Sequence, residues 1–132
     1  MRFIPHLTFD GECEAAFRLY EECLQGNIAV LLNYGSQSNA WPAELQDKIF
    51  HATLKVGDQT LTGVDVLHSA YEKPQGFAVQ LNLDEASEAE RVFQTLSAGG
   101  KVHIALQKTP WAGHYAALTD RFGIPWEINC GA

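Results

Sequence analysis

No stretch of this 132-residue chain approaches the roughly 18 consecutive apolar residues of a membrane span, so no membrane partner is expected. Positive charge is also scarce. Nine Lys and Arg stand against sixteen Asp and Glu, a net charge of -7, whereas a nucleic-acid partner would need a basic face. The start, Met1-Arg2-Phe3-Ile4-Pro5-His6, lacks both the apolar stretch and the small-residue cleavage site of a secretory signal, and a cytoplasmic protein is expected. Cysteine is limited to Cys13, Cys23 and Cys130, an odd number with no CxxC pair. That usage suits reduced structural thiols rather than a disulfide framework. Cys130, near the chain's end, is the thiol with scope for reactivity, but no Cys-His dyad pattern accompanies it. A glycine-rich turn between a parallel strand and a helix, the cradle of a nucleotide-type cofactor, is missing as well.

What is present is a repeat. His6-Leu7-Thr8-Phe9 leads into an amphipathic run from Glu12 to Leu24, and Val79-Gln80-Leu81-Asn82-Leu83 leads into another from Asp84 to Leu96. Shifting the first by 73 positions places Ala16 on Ala89, Leu19 on Val92, Tyr20 on Phe93, Cys23 on Leu96 and Gly26 on Gly99. The first four pairs trace one apolar helix stripe, and the glycines stand where a helix would stop. Further on, His51–Val56 and Gln59–Val64 flank Gly57-Asp58, while Tyr115–Thr119 and Ile124–Ile128 flank a turn from Asp120 to Gly123. Each is a hairpin of period-two strands. Ile28–Asn33 and Val102–Gln107 supply one more strand before each hairpin. Each half therefore reads strand, helix, strand, strand, strand: an α+β chain of two tandem βαβββ modules. Module 1 covers about residues 1–66, a linker about 67–75, and module 2 about 76–132, together one domain with 46% hydrophobic residues to build its core.

Alternation sorts the strands into two faces. Leu7, Phe9, Ala52, Leu54, Val56, Val79, Leu81, Leu83, Val102, Ile104, Leu106, Ala116, Leu118, Trp126 and Ile128 form the set expected beneath the helices. The opposite set includes His6, Thr8, His51, Thr53, Thr60, Thr62, Gln80, Asn82, His103, Tyr115, Glu127 and Asn129. It is polar yet nearly uncharged, with Lys55 and Glu127 as its charged members. Neutral hydrogen-bonding groups suit a partly enclosed cavity for a polar small molecule; an ordinary solvated sheet face rich in Thr is the other reading. Glu127 is a carboxylate inside an otherwise uncharged strand and needs a partner there. It is a candidate metal ligand or catalytic base; otherwise its partner is Tyr115, Thr62 or a histidine. Trp111 and Tyr115 are candidate ligand-binding walls, with Trp111 a candidate cover, and Trp126 is expected in the core.

Phe9-Asp10-Gly11-Glu12-Cys13-Glu14-Ala15-Ala16 with Tyr20, His51-Ala52-Thr53-Leu54-Lys55-Val56-Gly57-Asp58, Leu106-Gln107-Lys108-Thr109-Pro110-Trp111 and Leu118-Thr119-Asp120-Arg121-Phe122-Gly123-Ile124-Pro125-Trp126 resemble the vicinal oxygen chelate superfamily. That superfamily includes glyoxalase I, bleomycin- and fosfomycin-resistance proteins and extradiol dioxygenases, and the PhnB-like subgroup is the nearer match. The resemblance implies curved mixed sheets around a cleft, a homodimer and a small-molecule ligand. In metal-using relatives the first and last strand of each module each offer one ligand. Those positions correspond to His6, Thr62, about Ala78 (with Gln80 the next inward neighbour) and Glu127. His6 and Glu127 are competent ligands for a divalent metal ion and the other two are not, so the pair alone would hold a metal weakly unless His51, His103 or His114 joins it. The resemblance thus implies a protein binding a small molecule in a dimer cleft, lined by His51, Thr62, Gln80, Trp111 and Tyr115, with an incomplete metal site. The alternative is a metal-dependent lyase, isomerase or dioxygenase with Glu127 as catalytic group and His6 and Glu127 as ligands. The subgroup also carries a ubiquinone-related methyltransferase label, which the absent nucleotide-type turn argues against.

Overall fold

The computed structural model describes residues 1–111 and 113–131. Its elements in chain order are β1 (His6–Phe9), α1 (Cys13–Cys23), β2 (Asn27–Asn33), a one-turn α2 (Tyr34–Gln37), β3 (Ile49–Val56), β4 (Gln59–Asp65), β5 (Val79–Leu83), α3 (Ala86–Ser97), β6 (Lys101–Thr109), β7 (Gly113–Thr119) and β8 (Pro125–Cys130). The chain divides into two compact units, Met1–Glu72 and Lys73–Ala132. Each unit runs βαβββ around its own four-stranded mixed sheet, ordered β1-β4-β3-β2 in the first and β5-β8-β7-β6 in the second. The expected α+β class and repeated topology are both present.

The topology follows from how each unit closes. The last three strands form an antiparallel meander, and the first strand pairs in parallel with the last, β1 with β4 and β5 with β8. A parallel pair cannot be joined by a tight turn, and the helix and meander supply the crossover. α1 buries Cys13, Ala16, Phe17, Tyr20 and Cys23, while α3 buries Ala89, Val92 and Leu96, each a single helical stripe. In the first unit Leu7, Phe9, Ala52, Leu54 and Leu61 are buried, and in the second Ala116, Leu118, Trp126 and Ile128. Phe17 lies so close to β4 that a Cβ on Gly63 would come within 2.6 Å of its ring.

Two carboxylates organise these layers from within. Asp65, the last residue of β4 and 1% exposed, accepts hydrogen bonds from Cys13 N at 2.9 Å and Ile49 N at 2.9 Å. It caps α1 from a neighbouring strand and fixes the start of β3. Asp120 accepts from Phe122 N at 2.9 Å, Ile124 N at 3.0 Å and the Trp126 indole at 2.8 Å, which closes the β7–β8 turn. The buried Trp126 indole is thereby satisfied, as its expected core position requires.

Several expectations are corrected. β6 slips register between Val102 and Ile104 and again between Ile104 and Gln107. The first slip turns Ile104 to pair with Ala117, on the Glu127 side of the sheet rather than the helix side. Cys130 is buried at the end of β8, opposite Leu83, and is not a reactive thiol at a loose end. The segment after β2 begins with a helical turn, and Tyr34 is buried with its hydroxyl donating to Asp65 O at 2.6 Å.

α1 ends in a Schellman motif: Gly26 N donates to Glu21 O at 2.9 Å and Gln25 N to Glu22 O at 3.4 Å. The left-handed residue is Gln25 (φ 55), not Gly26, whereas α3 uses Gly99 (φ 73). Gly26 is needed for another reason, since a Cβ there would lie 2.7 Å from Lys55 O. Gln25→Gly should stabilise the protein by up to about 1.6 kcal/mol, the roughly 1–2 kcal/mol left-handed penalty less the roughly 0.4–1 kcal/mol lost to unfolded-chain entropy. Urea unfolding measures it, with a higher midpoint at unchanged slope expected.

Candidate functional site

Strand register places the first unit's polar side chains. His6 stands opposite Thr62, and Thr62 opposite Thr53, so the three form a row across β1, β4 and β3. His51 and Lys55 flank Thr53 on the same face of β3, two residues to either side. His6 Nδ1 and Thr62 Oγ1 are 2.7 Å apart, and His51 Nε2 and Thr53 Oγ1 are 2.9 Å apart. Lys55 Nζ donates to Thr60 Oγ1 at 2.7 Å. Pro5 O already accepts Thr62 N at 3.0 Å and lies 3.4 Å from the Thr62 hydroxyl. Across that 3.4 Å contact the Thr62 hydroxyl donates to Pro5 O. Burial first, and the proximity of His51 second, hold the His6 pKa below its ordinary value.

The second unit carries a different chemistry at equivalent positions. Gln80 stands opposite Glu127 on the parallel β5–β8 pair, as His6 does opposite Thr62 on β1–β4. Gln80 Nε2 donates to Glu127 Oε1 at 3.2 Å, and the Tyr115 hydroxyl also hydrogen-bonds the Glu127 carboxylate. Burial, then the Glu127 charge and that hydrogen bond, push the Tyr115 pKa above its ordinary value. Asn129 Nδ2 donates to Asn82 Oδ1 at 3.3 Å, and His103 Nε2 lies 2.8 Å from Thr119 Oγ1. Two neutral donors, a phenol and an amide, thus meet the Glu127 carboxylate.

The predicted residues fall into two groups, one in each unit. His6 and Thr62 are joined directly, with His51 on the same face. Gln80, Glu127 and Tyr115 are likewise joined. Register and hydrogen bonding select Gln80, rather than Ala78, as the residue beside Glu127. His114 stands opposite Lys108 at the start of β7. Trp111, in the turn after β6, is 72% exposed. Among the described residues no group of three or more His, Cys, Asp or Glu could hold a metal ion. At the four expected positions stand one imidazole, one hydroxyl, one amide and one carboxylate. His6 Nδ1, one carboxylate oxygen of Glu127 and the amide of Gln80 are engaged in hydrogen bonds within their own sheets. This donor set does not fit a catalytic divalent ion, which takes about three strong protein ligands.

Sequence reasoning passed over Asp65, the most deeply held carboxylate of the first unit. Its signal was available: alternation from Leu61 through Gly63 puts Asp65 on the helix side.

The match to the family model described as 3-demethylubiquinone-9 3-methyltransferase spans residues 1–129. The chain belongs to this PhnB-like family. The crystal structure of PA1353 from Pseudomonas aeruginosa is 39% identical with a TM-score of 0.88, covering 99% of this chain and 98% of that one. YjdN of Escherichia coli (strain K12) is 30% identical over 139 residues, 98% of this chain and 95% of that protein. A PhnB protein from Bacillus cereus, 21% identical with a TM-score of 0.83, covers 99% of this chain and 100% of that one. A glyoxylase/bleomycin resistance protein/dioxygenase domain, a bleomycin resistance determinant and a fosfomycin resistance protein share the fold at 14–18% identity, with TM-scores of 0.59–0.67. Among the described residues, no helix of this PhnB-like chain is long and apolar enough to cross a membrane.

Two titrations check these contacts. The His6 imidazole should titrate below the ordinary histidine value of about 6.5, and His51→Asn should move its midpoint upward, as followed by NMR of the ring protons. Because the folded form resists that proton, stability should fall as pH drops from about 6.5 toward the His6 midpoint, with no His6 contribution above this window. Glu127→Gln should move the Tyr115 ionisation down toward the ordinary tyrosine value of about 10, read from the phenolate absorbance that a further Tyr115→Phe change removes.

Proposed function

We propose that this PhnB-like chain binds a small molecule in the cleft of a homodimer in the cytoplasm, through the polar faces of its two sheets, and that its metal site is incomplete. His51, Thr62, Gln80 and Tyr115 line that cleft in this reading, with Trp111 at its cover. The observation that carries the reading is the pairing of Glu127 with Tyr115 and Gln80, which meets the carboxylate with neutral hydrogen-bond donors rather than further metal ligands. The neutral side chains Thr53, Thr62, Asn82 and Asn129 around these groups suit a ligand with several hydrogen-bonding atoms. The fold it shares with bleomycin and fosfomycin resistance proteins hosts ligands of many kinds, and fold alone names none of them.

Methyl transfer, which the family description names, is not the reaction we propose. Both sheets are mixed rather than doubly wound. In the first unit the α1 N-terminus, where such folds seat an anionic cofactor group, is taken by Asp65.

The competing reading, a metal-dependent lyase, isomerase or dioxygenase, assigns His6 and Glu127 as ligands and Glu127 as proton carrier. Equilibrium dialysis of the intact protein against Zn²⁺, Ni²⁺, Mn²⁺ and Fe²⁺, with native mass spectrometry of cell-extracted protein, separates the two. A retained organic mass on a dimer, without stoichiometric metal, is the expected result. Stoichiometric metal lost in both His6→Ala and Glu127→Ala would overturn it in favour of the enzyme.

A further inference from the structure

We propose that the polar face of the first unit's sheet recognises a small organic anion with an apolar body, its charged oxygens meeting His6, His51 and Lys55. This rests on the small-molecule-binding reading and names the ligand's chemical class.

Register defines the face strand by strand. β1 presents His6 and Thr8, β4 presents Thr60, Thr62 and Val64, and β3 presents His51, Thr53 and Lys55. On β2, Asn27 stands opposite Lys55, Val30 opposite Thr53 and Leu32 opposite His51. No carboxylate lies on any of these positions. The chain has sixteen Asp and Glu against nine Lys and Arg, and the first unit's acids stand on α1, in loops or, like Asp65, on the helix side. An uncommitted sheet face of so acidic a chain would be expected to carry some of them. This one carries two imidazoles and an ammonium.

The donors are held ready. The contact with the Thr62 hydroxyl fixes His6 by Nδ1, and no hydrogen bond engages its Nε2 among the described residues. Thr53 fixes the ring of His51, and Thr60 steadies the Lys55 ammonium. A carboxylate or phosphoryl oxygen accepts charge-assisted hydrogen bonds from such groups, and these are the strong ones. Beside them, Val30 and exposed Leu32 make the β2 margin of the same face apolar, and a hydrocarbon body would shelter it from water. The second unit's face offers the opposite chemistry at matching positions, where Gln80 and Glu127 replace His6 and Thr62.

Hexanoate and its uncharged counterpart hexanol are the probes, titrated into the full chain and followed by backbone amide and imidazole NMR. Hexanoate should give saturable shifts on β1, β3 and β4 and on the rings of His6 and His51. Hexanol should bind about tenfold or more weakly, the least that one hydrogen bond to a charged group contributes. Lys55→Gln, at an exposed position that leaves the core untouched, and His6→Ala should each weaken hexanoate while leaving hexanol unchanged. Equal binding of the two probes, hexanoate shifts confined to the second unit, or no saturable shift with either hexanoate or inorganic phosphate would overturn the proposal. A neutral ligand retained from cells, without preference for hexanoate, would sink it while leaving the small-molecule-binding reading intact.

Discussion

A carboxylate almost without access to water ties the first unit together. Asp65 gathers the N-terminus of α1, the first residue of β3 and the end of β4 on two oxygens, and its own backbone carbonyl accepts the Tyr34 hydroxyl. Burial pushes its pKa up, while hydrogen bonds from Ile49, Cys13 and Gly11 and the nearby Lys48 ammonium pull it back. Burial wins, so the charge is a cost that the fold carries for geometry. An apolar residue in its place would leave the N–H groups of Cys13 and Ile49 orphaned, at about 1–3 kcal/mol each. The payoff lies on the opposite side of the sheet. Because α1 and β3 are pinned to the end of β4, the alternation that buries Leu61, Gly63 and Asp65 turns Thr60, Thr62, His51 and Thr53 the other way.

The second unit reaches the same topology with different fasteners. Cys130 occupies the register position of Asp65, last on the strand that pairs in parallel with the unit's first, and supplies no cap. The holding carboxylate is Asp120, displaced to the hairpin turn, where it binds two backbone N–H groups and the Trp126 indole. The helix ends differ too, with Gln25 strained in the left-handed region where the other unit has Gly99. A repeated unit can exchange such parts because topology depends on the apolar alternation and helix stripe, while any one fastener is local. The polar faces diverged by the same freedom. Imidazoles with hydroxyls occupy one, and amides, a phenol and a carboxylate the other.

Much of this was legible in the sequence. The 73-residue shift exposed the repeat because helix stripes survive divergence as spacing, and the repeat in turn located every main strand. Period-two alternation placed His6, Thr62, Gln80 and Glu127 on the faces they occupy. It failed at β6, where register slips after Val102 carry Ile104 to the other side, since a bulge leaves no mark in hydrophobicity alone. It was not applied to Asp65, whose burial contradicts the ordinary preference of a carboxylate for water. Nor could the sequence choose among Tyr115, Thr62 and a histidine as partner for Glu127. Gln80 was not among those candidates, because the parallel pairing of β5 with β8 that brings it to Glu127 is a long-range contact that no local pattern encodes.

The pairing of first with last strand also decides what stands beside the two competent metal ligands. Each stands opposite a neutral hydrogen-bonding partner: Thr62 for His6, Gln80 for Glu127. In a metal site such neighbours orient a ligand by bonding its far side. Here they stand where the ligands themselves would, and contribute a hydroxyl and an amide in place of an imidazole or carboxylate. The coordination shell that these four positions could build stays short of strong ligands. What they do offer is hydrogen bonding: an imidazole and a hydroxyl in the first unit, an amide and a carboxylate in the second.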